Sequence, residues 1–238
     1  MNQELEQSSC QEQLARLKQE YEEFAYIVSH DLKAPLRAIC NLSGWISEDL
    51  DQNIDPDIAH NIKLLQNRAE RMERMINAVL SFSRVNRMEL DIRPVDTGAV
   101  AREVAAPFMQ SHGLRLTLED MPSLTTYGKK FETVLAKLLQ NAVTFNDAEV
   151  PEVHLTATDQ GAYYTFKVTD NGIGISEDAK HKVFNLFYTV QPKDEEENLG
   201  AGLTIVRKIV QFVGGTIEAQ SNAGKGTTFQ FTWPKHIV

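Results

Sequence analysis

The chain has 238 residues, of which 42% are hydrophobic and 24% charged, so it can bury the core of one large domain or of two smaller ones. Its formal net charge of -9 opposes nonspecific binding to nucleic acid and to anionic membranes, since both would repel it. We therefore expect no nucleic-acid partner. The chain has no run of roughly eighteen apolar residues and does not begin as a signal peptide does, so we also expect no membrane contact by this chain.

The two cysteines, Cys10 and Cys40, both lie in predicted helix and have no metal-like spacing. They indicate neither a disulfide framework nor a zinc site. This cysteine usage fits a reducing compartment, and we predict a cytoplasmic protein.

The first predicted element is a long helix over residues 3–50. Its apolar residues recur at steps of three and four, which is the spacing of a coiled-coil seam. We interpret residues 1–20 as a coiled-coil signalling helix. The apolar positions are Leu14, Leu17, Tyr21, Phe24 and Val28, continued by Leu32, Leu36, Ile39, Ile46 and Leu50.

A histidine beside an acid, His30 and Asp31, lies in this helix and is followed by Pro35. At roughly 100° per residue, His30 lies about 200° from Val28 and from Leu32, so we expect its imidazole to face solvent, where it can be phosphorylated. Pro35 cannot donate to the carbonyl of Asp31, which predicts a bend one turn after the histidine. A surface histidine in a charged helix is the plainer alternative.

A second helix is predicted over residues 57–88, after a turn at 51–56. Two long helices joined by a short loop predict an antiparallel hairpin, and one chain offers too little surface to cover both seams. We therefore expect a homodimer through residues 14–82, in which two hairpins form a four-helix bundle; a monomeric helical domain is the alternative. The apolar positions of the second helix are Ile58, Ile62, Leu65, Ala69, Met72, Ile76 and Val79.

Residues 91–96, which include Pro94, break the helical pattern and mark a domain boundary. The rest of the chain mixes helices and strands, which predicts an α+β sandwich with helices on one face of a sheet. The predicted helices are 97–110, 128–146 and 203–213, and the predicted strands are 153–157, 163–169, 215–220 and 227–233.

A carboxylate followed by two glycines stands at the end of the strand 163–169: Asp170, Gly172 and Gly174. Such a carboxylate can accept a hydrogen bond from an exocyclic amine such as that of adenine, and glycines let the backbone pass close to a ligand. A hairpin turn containing Asn-Gly is the alternative interpretation.

A second glycine pair, Gly200 and Gly202, opens the helix 203–213. A glycine-rich helix start favours phosphate, and a loop that merely needs flexible backbone is the alternative. The polar stretch 191–199 follows two phenylalanines, as a lid hinged on aromatic anchors would. Lys193, its only cation, is a candidate cofactor-binding residue.

Asn141, in the helix 128–146, could ligate magnesium through its amide oxygen, although an isolated helical Asn is more often polar surface.

Taken in chain order, these motifs resemble the catalytic half of the sensor histidine kinases of two-component signalling. The resemblance spans residues 20–235. The matching segments are the phosphoacceptor box at 30–35, the asparagine box at 138–145, the first glycine box at 170–174, the phenylalanine box at 184–187, the second glycine box at 200–206 and the closing strand motif at 224–229.

The resemblance implies a two-domain α plus α/β protein. A dimerisation and histidine-phosphotransfer hairpin at 21–90 precedes a catalytic domain at 95–236 with the Bergerat-type ATP-binding fold shared with gyrase and the Hsp90 chaperones. His30 would attack the γ-phosphate of ATP, and Asp31 would orient the imidazole or take its proton. The phosphoryl group would pass to an aspartate of a response-regulator receiver domain, under the control of an upstream sensor domain or protein.

The resemblance also assigns the nucleotide site, with ATP and Mg2+ as cofactors. Asp170 would hold the adenine amine, Asn141 would bind magnesium and Thr227 would reinforce the adenine end. The glycines whose backbone would surround the nucleotide are Gly172, Gly174, Gly200 and Gly202.

Several residues depart from the family pattern. Lys137 stands where the asparagine box normally begins with Asn, Thr144 where a basic residue is common, and Asn198 where a glycine is usual. A degenerate kinase that acts as a dimeric binding scaffold for a receiver or sensor protein is therefore the alternative function. Ala34 stands where many relatives have a Thr or Asn that positions a water, so we expect weak phosphatase activity.

Overall fold

A computed structural model describes residues 2–50, 55–87, 90–190, 198–221 and 224–236 of the chain, except for the side chains of residues 2–11, 14 and 15. The chain divides into two compact units, residues 1–84 and 85–238. None of the described helices combines the length and the apolar character that crossing a membrane requires.

The first unit is a pair of long helices, α1 at Asn2–Asp49 and α2 at Pro56–Arg84. Both predicted helices are confirmed, and α1 stays helical through Pro35. Asp55 caps the start of α2: its Oδ1 accepts a hydrogen bond from the backbone N–H of Asp57 at 2.8 Å. The predicted turn at 51–56 lies mostly outside the described residues.

The two helices pack through a narrow core in which Leu36 of α1 meets Ala69 and Ile76 of α2, with Cys40 against it. Most of the predicted apolar seam does not take part in this core. The positions that stay exposed within one chain are Leu17, Tyr21, Phe24, Val28, Leu32, Ile39, Ile46 and Leu50 of α1 and Ile58, Leu65 and Met72 of α2. The inner face thus uses only a few of the predicted seam positions, Leu36, Ala69 and Ile76, and the unit presents most of the others as a long apolar stripe.

The second helix ends earlier than predicted, at Arg84 instead of residue 88, and a short 3-10 turn at Val85–Arg87 follows. Val85 is fully buried in the second unit. Its carbonyl accepts a hydrogen bond from the Nζ of Lys130 at 2.5 Å, and the Lys130 side chain is itself buried. Burial lowers the pKa of the Lys130 ammonium below its ordinary value.

The second unit contains seven described strands and three helices of at least 11 residues. The strands are β1 at Ile92–Asp96, β2 at Arg115–Glu119, β3 at Ser123–Tyr127, β4 at Glu152–Asp159, β5 at Tyr163–Asp170, β6 at Ile217–Ser221 and β7 at Thr227–Pro234. The helices are α3 at Thr97–His112, α4 at Gly128–Thr144 and α5 at Gly202–Phe212. Short 3-10 turns lie at Glu177–Ala179 and Lys182–Phe184.

Five strands form one sheet in the order β2-β4-β5-β7-β6, with β2 parallel to β4 and the other pairs antiparallel. β1 and β3 pair separately as an antiparallel ribbon. The α+β sandwich predicted from the sequence is confirmed, as are helices α3, α4 and α5 and strands β4 to β7. The strands β1, β2 and β3 were not predicted.

Aromatic residues fill the core between the helices and one face of the sheet. Phe131 of α4 packs edge to face on Phe166 of β5 and on Trp233 of β7, and all three side chains are fully buried. The indole N–H of Trp233 donates to the hydroxyl of Thr126 at 2.8 Å, which ties β7 to the β1–β3 ribbon. This core fixes α4 against the strands that carry the candidate site.

Candidate active site

The phosphoacceptor candidate, His30, lies on the exposed side of α1, with a side chain 71% exposed. The expected direction of its imidazole agrees with the structure. The Nδ1 atom of His30 lies 3.1 Å from Oδ1 of Asp31, so the two neighbours are in hydrogen-bond contact although they are consecutive in the helix. The Nε2 atom has no described hydrogen-bond partner. One turn earlier, the ring of Tyr26 lies 6.4 Å from the His30 ring, centroid to centroid.

The carboxylate of Asp170 stands at the end of β5 and is largely buried. Its Oδ1 accepts two backbone hydrogen bonds of 3.0 Å each, from Gly172 and from Thr227. Burial raises the pKa of Asp170, and these two hydrogen bonds offset only part of that rise. The other oxygen, Oδ2, has no partner among the described residues and can accept a hydrogen bond from a ligand.

Two glycine turns meet at this carboxylate. The N–H of Gly226 donates to the carbonyl of Gly172 at 2.9 Å, and Gly226 has a φ of +74°. A Cβ atom on Gly226 would lie 2.0 Å from the carbonyl oxygen of Asp170, so no larger residue fits there. Gly174, with a φ of +75°, continues the first turn.

The end of α4 is joined to the same turn. The N–H of Ile173 donates to the carbonyl of Phe145 at 3.1 Å, and a Cβ atom on Gly172 would lie 2.3 Å from that oxygen. Asn171 adds a side-chain link, because its Oδ1 accepts from the amide of Asn146 at 2.7 Å and its own amide donates to Val150. Helix α4 is thereby held in register with Asp170.

Asn141 lies one turn before the end of α4 and faces the start of α5. A Cβ atom on Gly202, the first residue of α5, would lie 3.9 Å from Oδ1 of Asn141 and 3.7 Å from Cδ of Lys137. Ala201, which precedes α5, provides no side-chain cap. The first N–H groups of α5 therefore remain available to an anion beside Asn141.

Gly200 closes the loop that leads into α5. It has a φ of +66°, and a Cβ atom there would lie 2.1 Å from the carbonyl oxygen of Tyr188. Its own carbonyl accepts from the N–H of Phe187 at 3.0 Å. The predicted lid 191–199 and its candidate residue Lys193 lie outside the described residues, except for Asn198 and Leu199.

The structure thus groups most of the predicted nucleotide-site residues around α4. Asp170, Gly172, Gly174 and Thr227 meet at one end of the site, and Asn141 meets Gly202 at the other.

Two supporting residues were missed in the sequence. Ser221, at the end of β6, accepts from the N–H of Ile175 at 2.7 Å and donates to the carbonyl of Gly226 at 2.6 Å. Thr204 of α5 donates to the carbonyl of Phe184 at 2.9 Å. A serine after a strand and a threonine inside a helix have no sequence signal that marks such contacts.

The site fits an adenine nucleotide on structural grounds, because it combines a buried carboxylate oxygen without a partner, two close glycine turns and an uncapped helix start. No group of three or more His, Cys, Asp or Glu side chains among the described residues could hold a metal ion. A single amide oxygen still suits magnesium, which usually keeps several waters and binds through substrate phosphates.

Comparisons with known proteins match two segments of this chain to two family models. Residues 20–87 match the His Kinase A (phospho-acceptor) domain, and residues 126–237 match the Histidine kinase-, DNA gyrase B-, and HSP90-like ATPase family.

Two curated relatives cover most of the chain. The methanogenesis regulatory histidine kinase FilI of Methanothrix harundinacea (strain 6Ac) is 33% identical over 223 residues, which is 90% of this chain and 25% of that protein. Cyanobacterial phytochrome B of Nostoc sp. (strain PCC 7120) is 34% identical over 226 residues, which is 92% of this chain and 30% of that protein. The chain therefore spans between a quarter and a third of the length of these relatives.

Among solved structures, full-length ShkA in complex with AMPPNP superposes with a TM-score of 0.64 at 24% identity, covering 91% of this chain and 46% of that chain. This likeness shows the fold. Together with the two family matches and the curated relatives, it establishes that the chain belongs to the sensor histidine kinases and carries their phosphoacceptor hairpin and GHKL-type ATP-binding domain.

Proposed function

We propose that this chain is an ATP-dependent protein-histidine kinase that autophosphorylates His30 and passes the phosphoryl group to an aspartate of a response-regulator receiver domain. The observation that carries the proposal is the exposed His30 imidazole, with Nδ1 3.1 Å from the Asp31 carboxylate, inside a segment that matches the phosphoacceptor domain. The ATPase family match over residues 126–237 supplies the second half of the reaction.

The contact with Asp31 selects the attacking nitrogen. An ionised carboxylate only accepts hydrogen bonds, so we infer that Nδ1 of His30 carries the proton and that this N–H donates a hydrogen bond to Asp31. Nε2 then keeps its lone pair and, without a described partner, is free to attack. In the reaction a bond forms between Nε2 and the γ-phosphorus, the bond from that phosphorus to the bridging oxygen breaks, and ADP leaves. Asp31 offsets the positive charge that develops on the imidazole.

The ATP-binding unit would position the nucleotide. Oδ2 of Asp170 would accept from the adenine amine, with Thr227 supporting that end through its backbone N–H. The backbone around Gly172, Gly174, Gly200 and Gly202 would follow the nucleotide, and Lys193 remains a candidate contact. Asn141 would be the protein ligand of a magnesium ion, which when bound would neutralise phosphate charge. The AMPPNP complex of ShkA supports a nucleotide at a site of this fold.

The phosphoacceptor hairpin would work as a homodimer through residues 14–82. The exposed apolar stripe of α1 and α2 supports this assembly, because single chains rarely leave such a long apolar face uncovered. We assign residues 1–20 to a coiled-coil signalling helix, 21–90 to the dimerisation and phosphotransfer domain and 95–236 to the catalytic domain. An upstream sensor domain or protein would set the activity.

Phosphatase activity toward the regulator should be weak. Ala34 lies one helical turn after His30 and is exposed, and its methyl group cannot hydrogen-bond a water that attacks a phosphoaspartate. We expect the half-life of a phosphorylated receiver to change little when the kinase and ADP are added. Rapid loss of its label, stimulated by ADP, would contradict this expectation.

The proposal is tested by incubating the purified chain with γ-labelled ATP and magnesium. We expect acid-labile label on the wild type and none on His30→Ala. His60→Ala is the matched control, since His60 is an exposed histidine of the same hairpin, and it should keep the label. Nucleotide binding without any label would favour the alternative of a degenerate dimeric scaffold, which Lys137, Thr144 and Asn198 suggest.

A further inference from the structure

A lysine stands at the phosphate end of the candidate nucleotide site. Lys137 and Asn141 are four residues apart on α4 and therefore share one face of that helix. A Cβ atom on Gly202 would touch both side chains, at 3.7 Å from Cδ of Lys137 and 3.9 Å from Oδ1 of Asn141. The absent side chain of Gly202 leaves room beside the Lys137 stem at the start of α5.

The ammonium group of Lys137 is available for a ligand. Among the described residues it has no carboxylate partner, and its one described polar contact is a long hydrogen bond of 3.5 Å to Oε1 of the exposed Gln140. A bond of that length is weak and exchanges easily. Lys137 is half-buried and its Cδ lies beside the start of α5, so its flexible stem can bring the ammonium group to that helix start.

The negative charge of the whole chain makes a positive charge at this site favourable for nucleotide binding. With a formal net charge of -9, the protein repels a nucleotide polyanion at long range. A fixed positive charge at the phosphate end opposes that repulsion, as a magnesium ion would, but it is present whether or not a metal ion is bound.

We propose that the Lys137 ammonium binds the phosphate chain of the nucleotide, so that this domain binds ADP and ATP with a reduced need for a divalent cation. The inference rests on the proposed function of the site. Lys137 acts here as a specificity-determining residue, because it raises the affinity for phosphorylated nucleotides and not the affinity for the nucleoside.

The test is calorimetric titration of the full chain with ADP and with adenosine, each in EDTA and in magnesium. Lys137→Met keeps the apolar stem and removes the charge, whereas Lys137→Arg keeps a charge. Lys129→Met removes the same charge from the first turn of the same helix, where Lys129 pairs with Glu132 at 2.7 Å, and serves as the control.

In EDTA we expect Lys137→Met to bind ADP about tenfold more weakly than the wild type, which is the loss of one charge-assisted hydrogen bond. Its adenosine affinity should be unchanged, the ADP defect should shrink in magnesium, and Lys137→Arg and Lys129→Met should both resemble the wild type.

Three results would overturn the inference. If Lys137→Met binds ADP in EDTA as tightly as the wild type, Lys137 does not contact phosphate. If ADP and adenosine affinities fall together, the lysine only supports the fold. If the wild type binds neither ligand, the proposed function fails as well, whereas the first two results leave it standing.

Discussion

At the scale of single residues, Asp170 carries the strongest conflict between stability and function. Its carboxylate is largely buried, and that burial raises its pKa above the ordinary value of 3.8. The folded state therefore binds this proton more tightly than the unfolded state does. Keeping the group ionised at neutral pH lowers the free energy of unfolding. In the proposed site, however, the ionised form is the one that can accept hydrogen bonds with both oxygens, Oδ1 from the backbone and Oδ2 from the adenine amine.

Two opposite pH dependences follow for Asp170. As pH falls through its raised pKa toward 3.8, this group should contribute more to the free energy of unfolding, while ADP affinity should decrease. Asp170→Asn should bind ADP at least about tenfold more weakly at pH 7, because its amide would oppose the adenine amine. It should be no less stable than the wild type, since it removes a buried charge.

These changes are measured by ADP titration and by thermal unfolding of both proteins across the same pH range. Asp178→Asn, at an exposed acid in the turn Glu177–Ala179, is the control and should behave as the wild type. Unchanged ADP affinity in Asp170→Asn would show that the carboxylate does not face the adenine.

At the scale of secondary-structure elements, the sequence predicts what local periodicity determines. Helices α1 and α2 follow from apolar steps of three and four, and β5 with its glycine turn follows from an alternating run that ends in Asp170. The ribbon β1–β3 was missed because Pro94 marks a break in any local pattern. In the structure Pro94 lies in a two-stranded ribbon, where the loss of its N–H is tolerated.

Long-range pairing explains the other omissions. β2 has only five residues, and its partner β4 lies more than 30 residues later and runs parallel to it, so no hairpin signal connects them. For the same reason Ser221 and Thr204 were not singled out, because their roles depend on contacts with Gly226 and Phe184 that only the fold creates. Asp170 and the glycines could be singled out from the sequence, because they stand directly after a predicted strand or at the start of a predicted helix, where local pattern is enough to mark them.

Thr204 gives a prediction about the element α5. Its buried hydroxyl donates to the buried carbonyl of Phe184, and Arg207, one turn later, places its guanidinium carbon 5.7 Å from the Phe184 ring centroid. Thr204→Val keeps the shape but leaves the Phe184 carbonyl unpaired, so we expect a loss of about 1–3 kcal/mol in the free energy of unfolding. ADP affinity should fall as well, since the start of α5 loses its link to the 3-10 turn Lys182–Phe184.

Thr204→Ser is the matched variant, because it restores the hydroxyl and should recover both properties. Chemical denaturation and ADP titration of the two variants provide the measurement. If the valine variant matched the wild type in both assays, the hydrogen bond to Phe184 would have no role in positioning α5.

At the scale of the whole molecule, the two units differ in how much apolar surface each leaves exposed. The second unit fully buries a cluster of four aromatic residues, Phe131, Phe166, Phe231 and Trp233. The first leaves most of its apolar seam exposed and buries small side chains and a few aliphatic ones between α1 and α2. A hairpin of this kind does not reach the buried fraction that a stable helical domain needs. Its stability should therefore depend on protein concentration.

This dependence predicts the effect of a charge in the exposed stripe. Ile46 of α1 is 51% exposed in the single chain, and in a symmetric dimer Ile46→Asp would place a carboxylate from each protomer in the apolar interface. Because burying unpaired charges costs several kcal/mol, we expect the dimer dissociation constant to rise by at least about a hundredfold. Asn41→Asp adds the same charge to a polar, exposed position of the same helix and should leave the dimer intact. Sedimentation equilibrium of the three proteins decides the matter. A monomeric wild type would contradict the dimeric four-helix bundle, and an Ile46→Asp variant that dimerises as the wild type does would place the dimer interface elsewhere than on this stripe.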